Sequence, residues 1–441
     1  MALIIKKEGV ISIISKRTKT LIFTISFIAF ILLIIIGITI FNNIRFSRLS
    51  PIISPISASG SHSMVIMVDG SLWTWGSNSR GQLGNGESTI GIQPTPPNPN
   101  PIHIMDDAIF VDSDANHSFV ITSDGTLWGW GSNFAGSLGI GGEIIAPANG
   151  GWALSPPFRP LGWSRVLENP VVYPVRIKRN VVLVSSGRGH AWAIRGDGVL
   201  FGWGNRDSYL WIPVSGTSRI TTRPTQATQN IVSFSTSDVH AMAIDEMGTL
   251  WGWGGNNVGQ LNYDVAPISG PGRRSFREIE IMQNISAVSV GGYHTAAIMT
   301  DGSLWTWGSN SHGQLGNGKQ TAGIYPTPPN PYPTWIMNDV AMVVAGTFYT
   351  MAITNDGNLF AWGDNTFGQL GDGTTENRHI PTFIMDDVVY VAAGDIHTLA
   401  IRSDGSLWAW GDNGHGQLGD GTTETRHVPV HIMDGVMLPS R

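Results

Sequence analysis

The chain has 441 residues, a formal net charge of −6 and no cysteine. The absence of cysteine excludes disulfides, thiolate catalysis and cysteine-ligated metal sites. Seven of the 26 basic residues but only one of the 32 acidic residues lie within residues 1–50, so the remainder of the chain is more acidic than the whole. An acidic body argues against nucleic-acid binding, which needs a basic surface to neutralise phosphates.

The first fifty residues predict a membrane anchor. Residues 20–41 contain no charged side chain, and this length is enough to cross a hydrocarbon core of about 30 Å as a helix. Five basic residues precede this stretch and two follow closely. The positive-inside rule then assigns residues 1–19 to the cytoplasm, residues 42–51 to a stalk and the rest to the far side of the membrane. A cleaved signal peptide that leaves a secreted protein is the alternative, with a weak cleavage site at Ser57-Ala58-Ser59.

A spacing that recurs seven times indicates a repeat protein. In each module a His, or once a Tyr, is followed four residues later by Ile and thirteen residues later by the Trp of a Trp-Gly pair. The first positions are His62, His117, His190, His240, His294, Tyr349 and His397, and the tryptophans are Trp75, Trp130, Trp203, Trp253, Trp307, Trp362 and Trp410. Repeats of about 50 residues are typical of propellers, solenoids and arrays.

Each module predicts four antiparallel strands. In the last module, Asp404-Gly405 between two β-prone runs predicts a hairpin turn, because these residues tolerate positive φ angles. Residues 407–411 then form a strand with both tryptophans on one face. Residues 388–393 supply the strand before the module His, and residues 428–433 supply the fourth strand. Seven such sheets arranged radially close into a propeller over residues 52–441.

The repeated motif resembles a known family. The pattern G-x-x-H-[ST]-x-A-[IL]-x-x-D-G-x-[LV]-[WF]-x-W-G-x-N-x-x-G-Q-L-G-x-G is similar to that of the regulator of chromosome condensation repeat family, and it covers nearly all of residues 52–437. It weakens at residues 205–209 of module three and at Leu261-Asn262 of module four. The resemblance implies an all-β protein, a seven-bladed β-propeller of four-stranded antiparallel blades. The apolar stretch at residues 20–41 predicts one transmembrane helix before it. The N-terminal segment suggests a bacterial, membrane-anchored member.

The residues that every module carries are expected to maintain the blades. Equivalent positions in a ring are kept apart, which argues against a metal site built from the module histidines, and we expect each His to tie its turn to neighbouring backbone. No cofactor is expected. The histidines leave no Ser-His-Asp set, and the carboxylate pairs Asp106-Asp107 and Asp386-Asp387 recur at one position that suggests turns. The sequence therefore predicts a protein that is not an enzyme.

Function is expected in the connections that follow the Trp-Gly pairs, which vary between modules and should open on one face of the ring. Trp, Tyr and Arg dominate interface hot spots. The candidate binding residues are Trp152, Phe158, Arg159, Trp163 and Arg165 in module two, Tyr209 and Trp211 in module three, Arg273 and Arg274 in module four, and Tyr332 and Trp335 in a Pro-rich loop of module five. Packing of these side chains beneath their own loops is the structural alternative.

The sequence thus predicts a protein-interaction propeller displayed outside the cytoplasmic membrane, with a cell-envelope protein as the expected partner. Three alternatives stay open. Eukaryotic members of the family act as guanine-nucleotide exchange factors, a role that the membrane segment and the acidic body disfavour. A bacterial β-lactamase inhibitor is similar in fold, which suggests inhibition of an envelope enzyme. Exposed Trp and Tyr also suit a glycan-binding surface module.

Overall fold

The computed structural model describes residues 4–7, 10–13, 53–89, 96–141, 170–205, 220–261, 279–320 and 330–439. The chain divides into two units, residues 1–50 and 51–441. In the first unit, strands β1 (Ile4–Lys7) and β2 (Val10–Ile13) pair as an antiparallel hairpin, which the sequence analysis did not predict. No helix among the described residues is long and apolar enough to cross a membrane. The predicted anchor, residues 20–41, and the predicted stalk lie outside the described residues.

The second unit consists of seven antiparallel sheets, each built from four consecutive strands. Blade 1 contains β3 (Ile56–Ser59), β4 (His62–Ile66), β5 (Leu72–Gly76) and β6 (Ile102–Met105), and blade 2 contains β7 (Ala108–Asp114), β8 (His117–Thr122), β9 (Leu127–Gly131) and β10 (Val171–Lys178). Blade 3 contains β11 (Val181–Gly187), β12 (His190–Arg195), β13 (Leu200–Asn205) and β14 (Ile220–Thr228), and blade 4 contains β15 (Ile231–Thr236), β16 (His240–Asp245), β17 (Leu250–Gly254) and β18 (Ile279–Met282). Blade 5 contains β19 (Ile285–Val290), β20 (His294–Met299), β21 (Leu304–Gly308) and β22 (Asn330–Met337), and blade 6 contains β23 (Val340–Ala345), β24 (Tyr349–Thr354), β25 (Leu359–Gly363) and β26 (Arg378–Met385). Blade 7 contains β27 (Val388–Ala393), β28 (His397–Arg402), β29 (Leu407–Gly411) and β30 (Arg426–Met433), and one 3-10 turn, Phe134–Gly136, follows β9.

The seven sheets form a closed ring. The first strand of each blade contacts the first strand of the next, from β3 and β7 around to β27 and β3. These strands are therefore innermost, and the fourth strands lie at the rim. The structure confirms the predicted all-β, seven-bladed propeller of four-stranded antiparallel blades.

The hydrophobic core lies between neighbouring blades. Trp75 and Val65 of blade 1, for example, pack with Leu399 and Leu418 of blade 7. Each sheet therefore buries its faces only against other blades, as expected for a propeller.

The two tryptophans of one module share a sheet face, as predicted. Trp75 has no exposed surface. Its partner Trp73 is half-buried and packs edge-on against His103 of the fourth strand, with ring centroids 5.4 Å apart. Trp75 thus lies within the core between blades, and Trp73 packs at the edge of this core and against the fourth strand of its own blade.

The Asp-Gly hairpin turns occur where the sequence predicts them, but only the glycine takes a positive φ, which is 81° at Gly405. The carboxylate of Asp404 instead accepts hydrogen bonds from the backbone N–H of Ser406 at 2.9 Å and from its hydroxyl at 2.6 Å. The Asp therefore stabilises the turn through its side chain rather than through its backbone conformation.

Candidate functional site

The module histidines connect neighbouring blades. The ring nitrogen Nε2 of His62 lies 2.8 Å from Ser118 Oγ, that of His294 lies 2.9 Å from Thr350 Oγ1, and that of His397 lies 2.9 Å from Ser63 Oγ. Each hydroxyl directly follows the module His or Tyr of the next blade. The expectation that each His binds nearby backbone was therefore wrong, because the partner is a side chain of the next blade.

A main-chain carbonyl completes this contact. Ser118 Oγ donates to the carbonyl oxygen of Gln82 at 2.8 Å, and Trp130 Nε1 donates to the same oxygen at 2.9 Å. Because the single hydroxyl proton of Ser118 goes to Gln82, the hydroxyl accepts its bond from His62 Nε2–H. We call the set of His, next-blade hydroxyl, Gln carbonyl and next-blade Trp the inter-blade tie.

The histidines of the tie are buried, which favours their neutral form. Burial lowers the pKa of His62 to about 3, with His397 and His117 adding to the effect, and burial lowers that of His397 to about 4. Nδ1 of His62 has no hydrogen-bond partner within the described part of the chain. The described residues also contain no group of three His, Cys, Asp or Glu that could hold a metal ion.

Three modules depart from the common tie. In blade 3, Nε2 of His190 lies 3.2 Å from Thr236 Oγ1 at the end of β15, because the residue after the next module His is Ala241. In blade 6, Tyr349 replaces the His, and its hydroxyl donates to the carbonyl oxygen of His397 at 2.9 Å. In blade 2, both ring nitrogens of His117 lack a partner among the described residues. The next blade carries Ala191 where the common tie has Ser or Thr, so no hydroxyl faces His117.

The connections after the Trp-Gly pairs all begin on one side of the ring. The backbone N–H of Ser77, just after the Trp75-Gly76 pair, donates to the carbonyl oxygen of Ser61 at 2.8 Å, and Asp412 repeats this bond to Ile396 at 2.9 Å. All seven blades make the equivalent bond. We call this side, which also carries the first-to-second-strand turns, the loop face, and the opposite side with the Asp-Gly turns the hairpin face.

Most predicted binding residues lie outside the described residues. These are Trp152, Phe158, Arg159, Trp163, Arg165, Tyr209, Trp211, Arg273 and Arg274.

Tyr332 and Trp335 are described, and their predicted location in a loop was wrong. Both belong to the rim strand β22, with 62% and 51% of their surfaces exposed. Trp335 lies opposite Trp305 in the sheet, and its Nε1 donates to Asn338 Oδ1 at 3.0 Å. The prolines of this segment are compatible with a strand because it lies at a sheet edge.

Aromatic residues gather on the loop face near the ring axis, and the sequence analysis missed them. Tyr293 and Phe348, in the first-to-second-strand turns of blades 5 and 6, stack with ring centroids 6.1 Å apart and planes 13° apart. His312 lies 4.8 Å from the Phe348 ring. All three are half-buried. We call the end of the ring surrounded by the seven first-to-second-strand turns the channel mouth.

Carboxylates also lie at the channel mouth. Asp395 Oδ1 accepts a hydrogen bond from Thr347 Oγ1 at 2.8 Å, and Asp238 accepts one from the backbone N–H of Arg188 at 2.7 Å. Asp114 is only 6% exposed. Its burial, followed by the charges of Asp238 and Asp395, raises its pKa well above the usual range, against a smaller opposing effect of Arg188. Such turn residues carry no recognisable motif, so only the closed ring reveals their proximity.

The fold and the ties define a ring held together by its repeated residues, with varied connections on one face. The model of the RCC1-like domain matches residues 169–438, and models of the regulator of chromosome condensation (RCC1) repeat match residues 53–82, 69–120 and 115–137. The chain belongs to the RCC1-like family. The predicted membership is thus confirmed at the level of the family.

Several relatives are eukaryotic. The chain is 27% identical to the mitochondrial RCC1 domain-containing protein RUG3 of Arabidopsis thaliana, covering 70% of this chain and 69% of the relative. It is 29% identical to the ultraviolet-B receptor UVR8 of the same plant, covering 70% of this chain but 64% of the relative. Prp20p of Saccharomyces cerevisiae has a similar fold, with a TM-score of 0.64, 18% identity and 87% of each chain covered.

Proposed function

We propose that this chain is a non-enzymatic protein-interaction propeller that binds its partner through the long connections on the loop face. The observation that carries the proposal is the common origin of these connections beside the first-to-second-strand turns. The insertions that follow Gly141, Asn205 and Leu261 begin on this face and contain the predicted Trp, Tyr and Arg side chains. A rigid ring lowers the entropy cost of presenting such side chains together.

Relatives of the same fold support a protein ligand. Prp20p has described binding properties to Gsp1p and histones, and yeast RCC1 has been crystallised bound to Kap60. Regulation of the guanine-nucleotide exchange type is the first alternative for this chain, and inhibition of an envelope enzyme or glycan binding are the others. The ties support a role without catalysis, since they engage most module histidines and hold them neutral.

We also propose that the propeller is a bacterial envelope protein anchored by residues 20–41, with residues 1–19 in the cytoplasm and the ring outside. Strand β3 contains the weak cleavage site at residues 57–59, and Ile56 and Ala58 are buried at 1% and 7% exposure. Cleavage there would remove most of a buried strand, which favours the anchor over the secreted alternative. Mass spectrometry of the mature N terminus tests this, because a start near Ser59 would contradict the anchor.

A pull-down tests the binding proposal. The full chain in detergent is compared with a variant in which residues 142–168 are replaced by a short Gly-Ser linker. We expect one envelope protein to be recovered with the full chain and lost with the variant, and Trp152→Ala with Trp163→Ala to reproduce the loss. The control is Val68→Ser with Met247→Ser, which changes side chains 76% and 78% exposed on the hairpin face. Equal recovery by the linker variant would contradict the proposal.

A further inference from the structure

The channel mouth combines negative charge with an unused hydrogen-bond acceptor. Asp114, Asp238 and Asp395 surround it, and the Arg188 guanidinium already pairs with Asp238 at 3.3 Å. Oδ1 of Asp114 is buried and has no hydrogen-bond partner among the described residues. A buried carboxyl oxygen without a partner is costly, and the raised pKa of Asp114 keeps this group neutral unless a cation approaches. This position therefore favours a ligand that brings a donor and a positive charge.

An aromatic cluster begins one residue after the hydrogen-bond donor to one of these carboxylates. Thr347 donates its hydroxyl to Asp395, and the next residue, Phe348, stacks on Tyr293. His312 supports the Phe348 ring from blade 5. The carboxylate of blade 7 is therefore hydrogen-bonded to the residue that precedes Phe348 in the turn of blade 6.

We infer that the channel mouth accepts an arginine side chain of the protein partner, with its guanidinium paired with Asp395 and stacked on Phe348. This inference rests on the proposed function and adds the chemistry of the ligand. A guanidinium is planar, carries five donors and stacks on aromatic faces, which matches an acceptor beside a ring. A metal ion fits less well, since the described residues include no set of three side chains able to ligate one.

The test uses methyl-labelled full chain in detergent and the tripeptides acetyl-Gly-Arg-Gly-amide, acetyl-Gly-Lys-Gly-amide and acetyl-Gly-Gln-Gly-amide. We expect the Arg peptide to shift the methyl NMR signals of Thr347 and Ile396, and added salt to weaken the effect. Asp395→Asn should weaken binding about tenfold or more, as for the loss of one partner of an ion pair. Phe348→Leu should weaken it while keeping an apolar side chain in place.

Asp386→Asn is the matched control, because it removes the same charge from a side chain that is 69% exposed on the hairpin face, and it should leave the titration unchanged. A circular dichroism melt of each variant establishes that it is folded. Equal shifts with the Gln peptide, or an Asp395→Asn variant that binds like the parent, would overturn the inference. Equal affinity for the Lys peptide would overturn the stacking on Phe348. If the pull-down partner still binds an Asp395→Asn variant unchanged, the inference fails while the proposed function stands.

Discussion

The backbone N–H of Met437, near the C terminus, donates a hydrogen bond to the carbonyl oxygen of Ile66 in blade 1 at 3.0 Å. The N–H of Ile66 in turn donates to the carbonyl oxygen of Pro55 at 2.8 Å. Both ends of the ring therefore pair with one residue of β4. Val436 also forms a bridge with Met67 and is 2% exposed. The inner strand of blade 1 is thus composite, with the C-terminal residues supplying its beginning and β3 its remainder.

Removal of residues 435–441 should open this closure. It exposes the pocket of Val436 and leaves backbone groups of β4 without partners. We expect the free energy of unfolding to fall by about 3 kcal/mol, from roughly 2 kcal/mol for the buried Val and about 1 kcal/mol for the hydrogen bonds. Urea unfolding measures this. Leu438→Ala, at a side chain 43% exposed, is the control and should change little, and unchanged stability after truncation would contradict a ring closed by the C terminus.

The Thr350→Val substitution should remove the hydroxyl of one inter-blade tie while keeping the shape of the side chain. The Thr350 hydroxyl contacts His294 Nε2 at 2.9 Å and donates to the carbonyl oxygen of Gln314 at 2.8 Å. Its loss leaves the buried Nε2–H of His294 unpaired, while the Gln314 carbonyl oxygen keeps its bond from Trp362 Nε1. We expect this to cost about 1–3 kcal/mol of unfolding free energy. Thr350→Ser keeps the hydroxyl and should cost less. Equal effects of Val and Ser would mean that packing, and not the tie, matters at this position.

Ala191→Ser should complete the tie that is missing between blades 2 and 3. The new hydroxyl would face His117 Nε2 and the carbonyl oxygen of Ser137, which already accepts a hydrogen bond from Trp203 Nε1 at 2.8 Å. We expect stabilisation by about 1 kcal/mol. In a His117→Phe background the same change should give less, and a double-mutant cycle by thermal unfolding measures the difference. A stabilisation that persists in full without His117 would contradict the tie.

Mild acid should destabilise the ring. Burial lowers the pKa values of His62, His240 and His294 to about 3, so the folded chain keeps these rings neutral while the unfolded chain binds protons near the ordinary value of 6.5. Stability contributed by each His is complete above pH 6.5 and is lost as the pH falls toward 3, at ~1.4 kcal/mol per pH unit.

Asp112 opposes this trend. Burial raises its pKa to about 7, so it holds a proton in the fold that the unfolded chain releases. Among the described residues, burial lowers the pKa of more histidines than the number of carboxyl groups whose pKa it raises. We therefore expect a net loss of stability between pH 6.5 and 4. Urea midpoints at pH 7.5, 6.0 and 5.0 measure it. His294→Gln should reduce the pH dependence, whereas a midpoint independent of pH would contradict buried neutral histidines.

The sequence predicts the blades well because the signals that form them are local. The spacing from His397 to Trp410 and the turn at Gly405 reflect strand length and hairpin geometry within one module.

Contacts between modules could not be predicted in the same way. The partner of His397 is Ser63, which lies 334 residues away and becomes its neighbour only when the ring closes. The channel mouth was missed for the same reason, since Asp114 and Asp395 belong to different blades. Tyr332 and Trp335 were misassigned because prolines in their segment suggested a loop, although a rim strand tolerates them.

Site-specific photo-crosslinking in intact membranes tests the central claim most directly. Benzoylphenylalanine replaces Phe134 or Phe367, which are 44% and 41% exposed on the loop face, or Val68 or Met247, which are exposed on the hairpin face. The account predicts that one protein adduct forms from the loop-face positions and is absent from the hairpin-face positions. Adducts from Val68 or Met247 alone, or none from either face, would contradict a propeller that binds its protein partner through the loop face.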